Sequence, residues 1–461
     1  MSILGSFIVP HPPLIIPEVG KGEQLKIQKT IDAYHEIAKE IARLKPDTII
    51  LSTPHSVIYS DYFHISPGTS AHGDLGSFGA HSVQFSVNYD TFLIDLIMKY
   101  THKEGISAGI EGEKNKALDH ATMVPLYFIN QYLTDYKLVR LSLSGFSFID
   151  HYHYGKCIEK AIHESNERVV WVASGDLSHK LKVDGPYGLA KEGPIFDKEI
   201  TEAMKEGNFL KFLNFEEDFC EKAAECGLRS FIMMAGALDG KEIKSRLLSY
   251  EGPFGVGYAV AAYPMIGENE KRHFGQIYDL NEKNKLSIIQ NQEDDFTRLA
   301  RQSLEYYVKN HRHLPYSTHQ NEQLSESKAG VFVSIKKDGR LRGCIGTISP
   351  TKPSIAEEII ENAISSGARD YRFEPVQIEE LPYLVYSVDV LKPAEPIKSI
   401  HELDVKRYGV IVRKGMKSGL LLPNLEGVDT PKEQVNIALR KAGISEKDTY
   451  TMERFEVIRH H

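Results

Sequence analysis

Cysteine is scarce in this chain of 461 residues, where Cys157, Cys220, Cys226 and Cys344 are the whole set. They have neither the paired spacing of a structural zinc site nor the density of a disulfide framework. That excludes a small secreted scaffold and predicts reduced thiols in a cytoplasmic protein. Long apolar runs are missing as well: nothing approaches the roughly 20 uninterrupted residues that span a bilayer. The short apolar run Ile3–Val9 has no positively charged leader before it, so neither a membrane segment nor a signal peptide is expected. Excess positive charge is also lacking. With a formal net charge of -8 and scattered basic residues, the chain is not expected to bind nucleic acid or an anionic membrane; a small molecule or another protein is the expected partner.

What is present is an ordinary globular composition, 41% hydrophobic and 26% charged, in a chain long enough for two or three domains. Strand patterns at Ile3–Val9, Thr48–Thr53, Leu138–Leu143, Arg168–Ser174 and Val256–Tyr263 alternate with helical ones at Glu23–Leu44, Thr91–Lys103 and Tyr152–Glu167. Asp119-His120-Ala121-Thr122 opens a further apolar helix, and Phe215–Leu238 is mostly helical with a break or close backbone approach at Gly227. Residues 60–88 read as loop. The alternation predicts an α/β domain over residues 1–267, with a mainly parallel central sheet flanked by helices.

The composition turns charged and polar at Glu268-Asn269-Glu270-Lys271-Arg272, which makes residues 268–292 a linker. Residues 293–461 predict an α+β domain. It opens with a helix from Phe296 to Asn310, followed by a hairpin turning at Asp338-Gly339. Two capping boxes, Ser354 with Glu357 and Thr430-Pro431 with Glu433, start two more helices. Between these lie strands at Leu384–Leu391 and Gly409–Arg413.

The feature that points to chemistry is a repeated delivery of histidine. The first strand is followed by Pro10-His11-Pro12-Pro13, the second by Pro54-His55, and the strand ending at Ser174 by Gly175-Asp176-Leu177-Ser178-His179. Ligands of open parallel sheets bind beyond the carboxyl ends of the strands. One histidine among 19 carries little weight, whereas three at successive strand ends describe one site. Two imidazoles with one carboxylate leave positions open on a metal for substrate and oxygen. Glu225, in a helical segment beside a glycine, is the candidate carboxylate; Asp119 and Asp176, each near a histidine, are candidates for fixing ring orientation.

Val9-Pro10-His11-Pro12-Pro13, Thr53-Pro54-His55-Ser56, Asp119-His120-Ala121-Thr122-Met123-Val124-Pro125-Leu126 and Ser174-Gly175-Asp176-Leu177-Ser178-His179 resemble the class III extradiol ring-cleavage dioxygenases and their Memo branch, over about residues 1–265. The resemblance implies ferrous iron held by His11, His55 and Glu225, with His120 and His179 as the catalytic pocket histidines. The Memo branch has a cysteine in the acidic ligand's place, in a context like Cys226-Gly227. Cys226 is therefore the rival third ligand, and its thiolate favours zinc or copper.

Leu341-Arg342-Gly343-Cys344-Ile345-Gly346, with Ser366-Gly367-Ala368-Arg369-Asp370-Tyr371-Arg372-Phe373 downstream, resembles the AMMECR family over about residues 293–458. Arg342 and Cys344 share one face of a strand, and Gly343 and Gly346 permit close approach. Together the resemblances imply an iron(II)-dependent oxidoreductase that opens a catechol-type aromatic ring, in a system shared with a radical-SAM partner. The alternative is a Memo-like metal-binding or partner-binding protein without ring cleavage. A homo-oligomer is expected.

Overall fold

The computed structural model describes residues 3–114, 117–315, 322–425 and 427–461. It divides into one unit ending at Asp279 and a second beginning at Leu280. Among the described residues no helix is long and apolar enough to cross a membrane.

The first unit is built on a seven-stranded sheet. Its path runs Arg246–Glu251, Tyr258–Glu268, Ile3–Val9, Val169–Ser174, Thr48–Thr53, Lys137–Ser142, and Lys241–Ile243 pairs with the second of these. The last four strands of the path are mutually parallel, while Tyr258–Glu268 runs antiparallel to Ile3–Val9 and to Arg246–Glu251. Thr48–Thr53 and Val169–Ser174 are buried at every position, as expected of central strands covered on both faces by helices. The three histidine-bearing strands are therefore parallel and adjacent, with Val169–Ser174 in the middle.

Helices occupy Gln28–Leu44, Thr91–Lys103, His120–Ile129, Phe148–Ser165 and Leu228–Ala237. The predicted helix from Glu23 begins as a 3-10 turn, Glu23–Ile27, and turns α-helical only at Gln28. The helix expected from Tyr152 starts earlier, at Phe148, because Ser147 and Asp150 form a capping box there. Residues 60–88 are not the loop the sequence suggests. Ser70–Leu75 and Ala80–Asn88 pair as an antiparallel hairpin around a turn at Gly76–Phe78, with Gly79 at φ 81°. The clustered glycines that read as loop make the turn and the irregular register at Asp74/Leu75. The available signal was the alternation of Val83, Phe85 and Val87 with polar residues. The stretch assigned to the linker is largely helical, forming Phe274–Gln292.

The second unit holds two four-stranded antiparallel sheets with helices at Asp295–Asn310, Ile355–Ala368 and Pro431–Ala442. Its hairpin, Val331–Lys337 with Arg340–Gly346, turns at Asp338 (φ 52°) and Gly339 (φ 74°). Two successive positive φ values match the twist of the flanking strands.

Candidate functional site

Proline ends the strand before each of the first two histidines by removing a ladder donor. His11 stands two residues beyond Val9 and His55 two beyond Thr53, so parallel strands on either side of Val169–Ser174 deliver both rings to one end of the sheet. Their Nε2 atoms are 3.1 Å apart. Cys226 arrives from the break between the helices Glu217–Ala223 and Leu228–Ala237. Its approach depends on two glycines: a Cβ at Gly227 would lie 2.9 Å from the Gly175 Cα. The Cys226 Sγ then sits 3.7 Å from the His11 Nε2. One donor atom from each of His11, His55 and Cys226 lies within 4.8 Å of the other two, the geometry of a group able to hold a metal ion.

The surroundings fix the protonation of these donors. Ser174 Oγ donates to the Ala121 carbonyl at 2.7 Å, so its contact with His11 Nδ1 at 3.1 Å must be as acceptor. Nδ1 of His11 therefore carries the proton, and Nε2 keeps a lone pair at the site. Burial, reinforced by His55, His120 and His179, pushes the His11 pKa well below its ordinary value. The 3.9 Å approach of its Nε2 to Asp176 is thus not an ion pair, because the imidazole is neutral; burial raises the Asp176 carboxyl to about 7. Burial, with Asp176 next, drives the Cys226 thiol well above its usual range. His55 is the exposed member, where the site opens to solvent.

His120 and His179 lie around this trio. The His120 ring is 4.2 Å from that of His55, and burial with His55 lowers its pKa to about 4. His179 contacts the Ala224 carbonyl through Nδ1 at 2.6 Å, which leaves Nε2 unprotonated, and its pKa is lowered chiefly by burial. Both are neutral imidazoles near neutral pH.

The carboxylates fall differently from expectation. Glu225 is outside the group: its Oε2 accepts from the Leu228 N–H at 2.6 Å, and burial raises its pKa to about 7. Asp176 accepts from the backbone N–H of His11 rather than from its ring. Asp119 caps the His120–Ile129 helix and accepts from Thr53 Oγ1 at 2.7 Å, and Thr53 Oγ1 in turn accepts from the His55 N–H. The ring partner of His11 is Ser174, the last residue of its strand, for which no role was legible from the motif alone. A cleft of about 810 Å³ adjoins His120, lined by Phe78, Phe85, Leu118, Met123 and polar residues of the Ser70–Asn88 hairpin. Phe78 packs against the His120 ring at 5.4 Å, a contact that depends on the fold of the hairpin and has no local signal in the sequence.

In the second unit, Arg342 makes a bidentate pair with Glu380, both bonds 2.9 Å. A Cβ at Gly343 would collide with the Ser366 carbonyl oxygen, and one at Gly346 with the Phe332 ring, so both glycines serve close approach. Cys344 is half-buried.

Residues 5–261 match the family model described as the catalytic LigB subunit of aromatic ring-opening dioxygenase, and residues 297–460 match the AMMECR1 model. A Clostridium acetobutylicum protein is 42% identical over 100% of this chain and 99% of its own length. A Thermotoga maritima protein is 47% identical over 36% of this chain and 98% of its own. The crystal structure of an uncharacterized Pyrococcus horikoshii protein matches at 34% identity with a TM-score of 0.34, covering 36% of this chain and 88% of that one.

Proposed function

The chain belongs to the family of the catalytic LigB subunit of aromatic ring-opening dioxygenases and carries an AMMECR1 domain after it, and on that footing we propose that its N-terminal domain is a Memo-like transition-metal domain. His11 Nε2, His55 Nε2 and Cys226 Sγ are its ligands. The observation that carries this reading is that a thiol, not the carboxylate of Glu225, stands with the two imidazoles. Two imidazoles and one thiolate suit copper or zinc better than iron(II). When bound, such an ion supplies Lewis acidity, or with copper one-electron chemistry, at its open positions. Ser174 holds His11 in the ligating tautomer, and Cys226 releases its proton as the ion arrives. His120 and His179 accept or return protons of a bound small molecule, and His55 lies on the accessible side.

A second reading, iron(II)-dependent opening of a catechol-type ring, is favoured by one specific feature: two neutral imidazoles beside the trio. In it, His179 accepts a phenolic proton at Nε2 and later donates it. The radical-SAM partner, the homo-oligomeric state and the cytoplasmic setting remain parts of either reading.

Elemental analysis of protein purified without oxygen or chelator tests both. Stoichiometric copper or zinc is the expected result. Stoichiometric iron, with oxygen uptake when catechols are offered, would replace the first reading by the second. Protein that neither carries nor takes up any metal would end both.

A further inference from the structure

The cleft beside His120 has a chemistry that metal binding does not use. One of its walls is a face of the Ser70–Asn88 hairpin. His72 stands opposite Ser86 and Asp74 opposite Gln84 in the strand register, so these side chains, two from each strand, share that face. All of them are exposed and all line the cleft, whereas Ala71, Phe85 and Val87, from the other face, belong to the core. His72 Nδ1 and Ser86 Oγ meet at 2.9 Å and tie the two strands across the wall. His120 belongs to both places: it lines the cleft, and its ring is 4.2 Å from that of His55. A small molecule anchored on the accessible side of His55 therefore has the cleft within reach of its far end.

Charge distinguishes this lining. Among the described residues it contains two carboxylates, Asp74 and Asp119, and neither lysine nor arginine. Asp119 is already engaged by Thr53, Thr122 and Arg140. Asp74 differs. Its Oδ1 accepts the Gly76 N–H at 2.6 Å and lies 3.7 Å from Nδ1 of His81, an ion pair when that exposed imidazole is protonated. Among the described residues no lysine or arginine pairs with it. A concave site of about 810 Å³ with a carboxylate that lacks a fixed counter-charge, and with no basic side chain in its lining, attracts a cation and repels an anion.

We propose that this cleft is the subsite for the tail of the small molecule handled at the metal, and that Asp74 is its specificity-determining residue, accepting a tail that ends in an amine and turning away one that ends in a carboxylate. The ammonium lies against the Asp74 carboxylate, with Gln84 across the strand pair. No bond is made or broken there; the cleft selects and holds. The anchor at His55 rests on the metal reading and the selection on the hairpin face, so the two can fail separately.

Three catechols that share a ring and differ in tail charge test this on the full chain: uncharged methylcatechol, cationic dihydroxyphenethylamine and anionic dihydroxyphenylacetate. Equilibrium dialysis under nitrogen gives their affinities for metal-loaded and metal-free protein. One charge a few ångströms away in water is worth about five-fold, so the cation is expected to bind about five-fold tighter than the uncharged probe and the anion about five-fold weaker. Both gaps narrow as salt is raised. Asp74→Asn, which keeps an acceptor for the Gly76 N–H, brings the three affinities together. Gln84→Lys, which sets an ammonium opposite Asp74, does the same without touching the turn, and Asp74→Glu preserves the order. Failure of the metal reading shows as a metal that tightens none of the three, and the order is then read on the metal-free protein. Equal binding of the three probes, an order unchanged by both Asp74→Asn and Gln84→Lys, or no binding to either form of the protein overturns the proposal.

Discussion

Cys226 and Cys344 are both half-buried and both adjoin a glycine that lets another backbone come close, but the two units surround them with opposite charge. Around Cys226 stand neutral imidazoles and buried acids, so burial and Asp176 keep the thiol protonated until a cation arrives from outside. Around Cys344 the cations are resident side chains. The carboxylates divide in the same way. Asp176, Asp197 and Glu225 are pushed up to about 7 by burial. Asp370 is held at about 2 by Arg372, and Glu380, against the desolvation that would raise it, reaches about 2 through Arg342. Burial alone thus does not decide what a carboxylate does; whether a cation is built in beside it does.

The sharpest way to break this comparison is to remove each sulfur. Cys226→Ser is expected to weaken metal binding by at least about 100-fold, beyond the span typical for residues that only support a ligand, while Cys344→Ser and Glu225→Gln leave it intact. Competition against a chelator measures all three. Because a protonated thiol must give up its proton on binding, affinity in the unaltered protein should rise about ten-fold per pH unit around neutrality. A pH-independent affinity, or loss of metal in Glu225→Gln alone, would contradict the assignment of Cys226.

The carboxyls of the two units should contribute to stability in opposite directions of pH. A carboxyl raised in the folded state, as Asp197 is, contributes stability that is full below its unfolded pKa near 4 and is lost as pH rises to about 7. Asp370 and Glu380 contribute stability present above the unfolded range and lost as pH falls toward 2. Trp171, the single tryptophan, lies buried in the first unit and reports its unfolding selectively. Over pH 4 to 7 the raised carboxyls lose stability while the buried histidines, whose pKa values are lowered, gain it, so the contribution of Asp197 is read as the difference between the unaltered protein and Asp197→Asn, at about 1.4 kcal/mol per pKa unit. That difference should shrink as pH rises from 4 to 7. Hydrogen exchange in the Val331–Gly346 hairpin should show no such loss over the same interval.

Ser174→Ala makes a smaller change at the same place. It removes the acceptor that fixes His11 Nδ1–H, leaving the ring free to adopt the tautomer that cannot ligate, and a fall of about 10- to 100-fold in metal affinity is expected. Isothermal titration checks it, and an unchanged affinity would show that the ring is oriented by packing instead.

The part of this design that was legible in the sequence is the part written in contiguous residues. Strand, proline and histidine follow one another at His11 and His55, and a helical crossover requires the two strands to be parallel. The hairpin at Asp338-Gly339 and the cap at Thr430 are equally local. The choice between Glu225 and Cys226 was not legible, because neighbouring residues at a helix break point in different directions and only the Gly175–Gly227 approach decides which one enters. The role of Ser174 was hidden for a similar reason: it depends on the Ala121 carbonyl, 53 positions away. The Ser70–Asn88 hairpin was missed because its glycines imitate a loop.

The smallest expected effect compares two helix caps. Asp119 accepts from Thr122 N at 3.0 Å and from Thr53 Oγ1 at 2.7 Å, so it both starts a helix and steadies the chain before His55. Thr430 only starts one: it accepts from Glu433 N at 3.3 Å, and Glu433 Oε2 returns a bond to its N–H at 3.0 Å. Removing the Thr430 side chain should therefore cost about 1 kcal/mol, the usual value of an N-cap, confined to the second unit and with no change in metal content. Asp119→Ala should cost more, since it also strips Thr53 and the buried Arg140 of their carboxylate, and it should weaken metal binding measurably. Equal losses from the two substitutions, with metal content unaffected in both, would mean that Asp119 is a cap and nothing more.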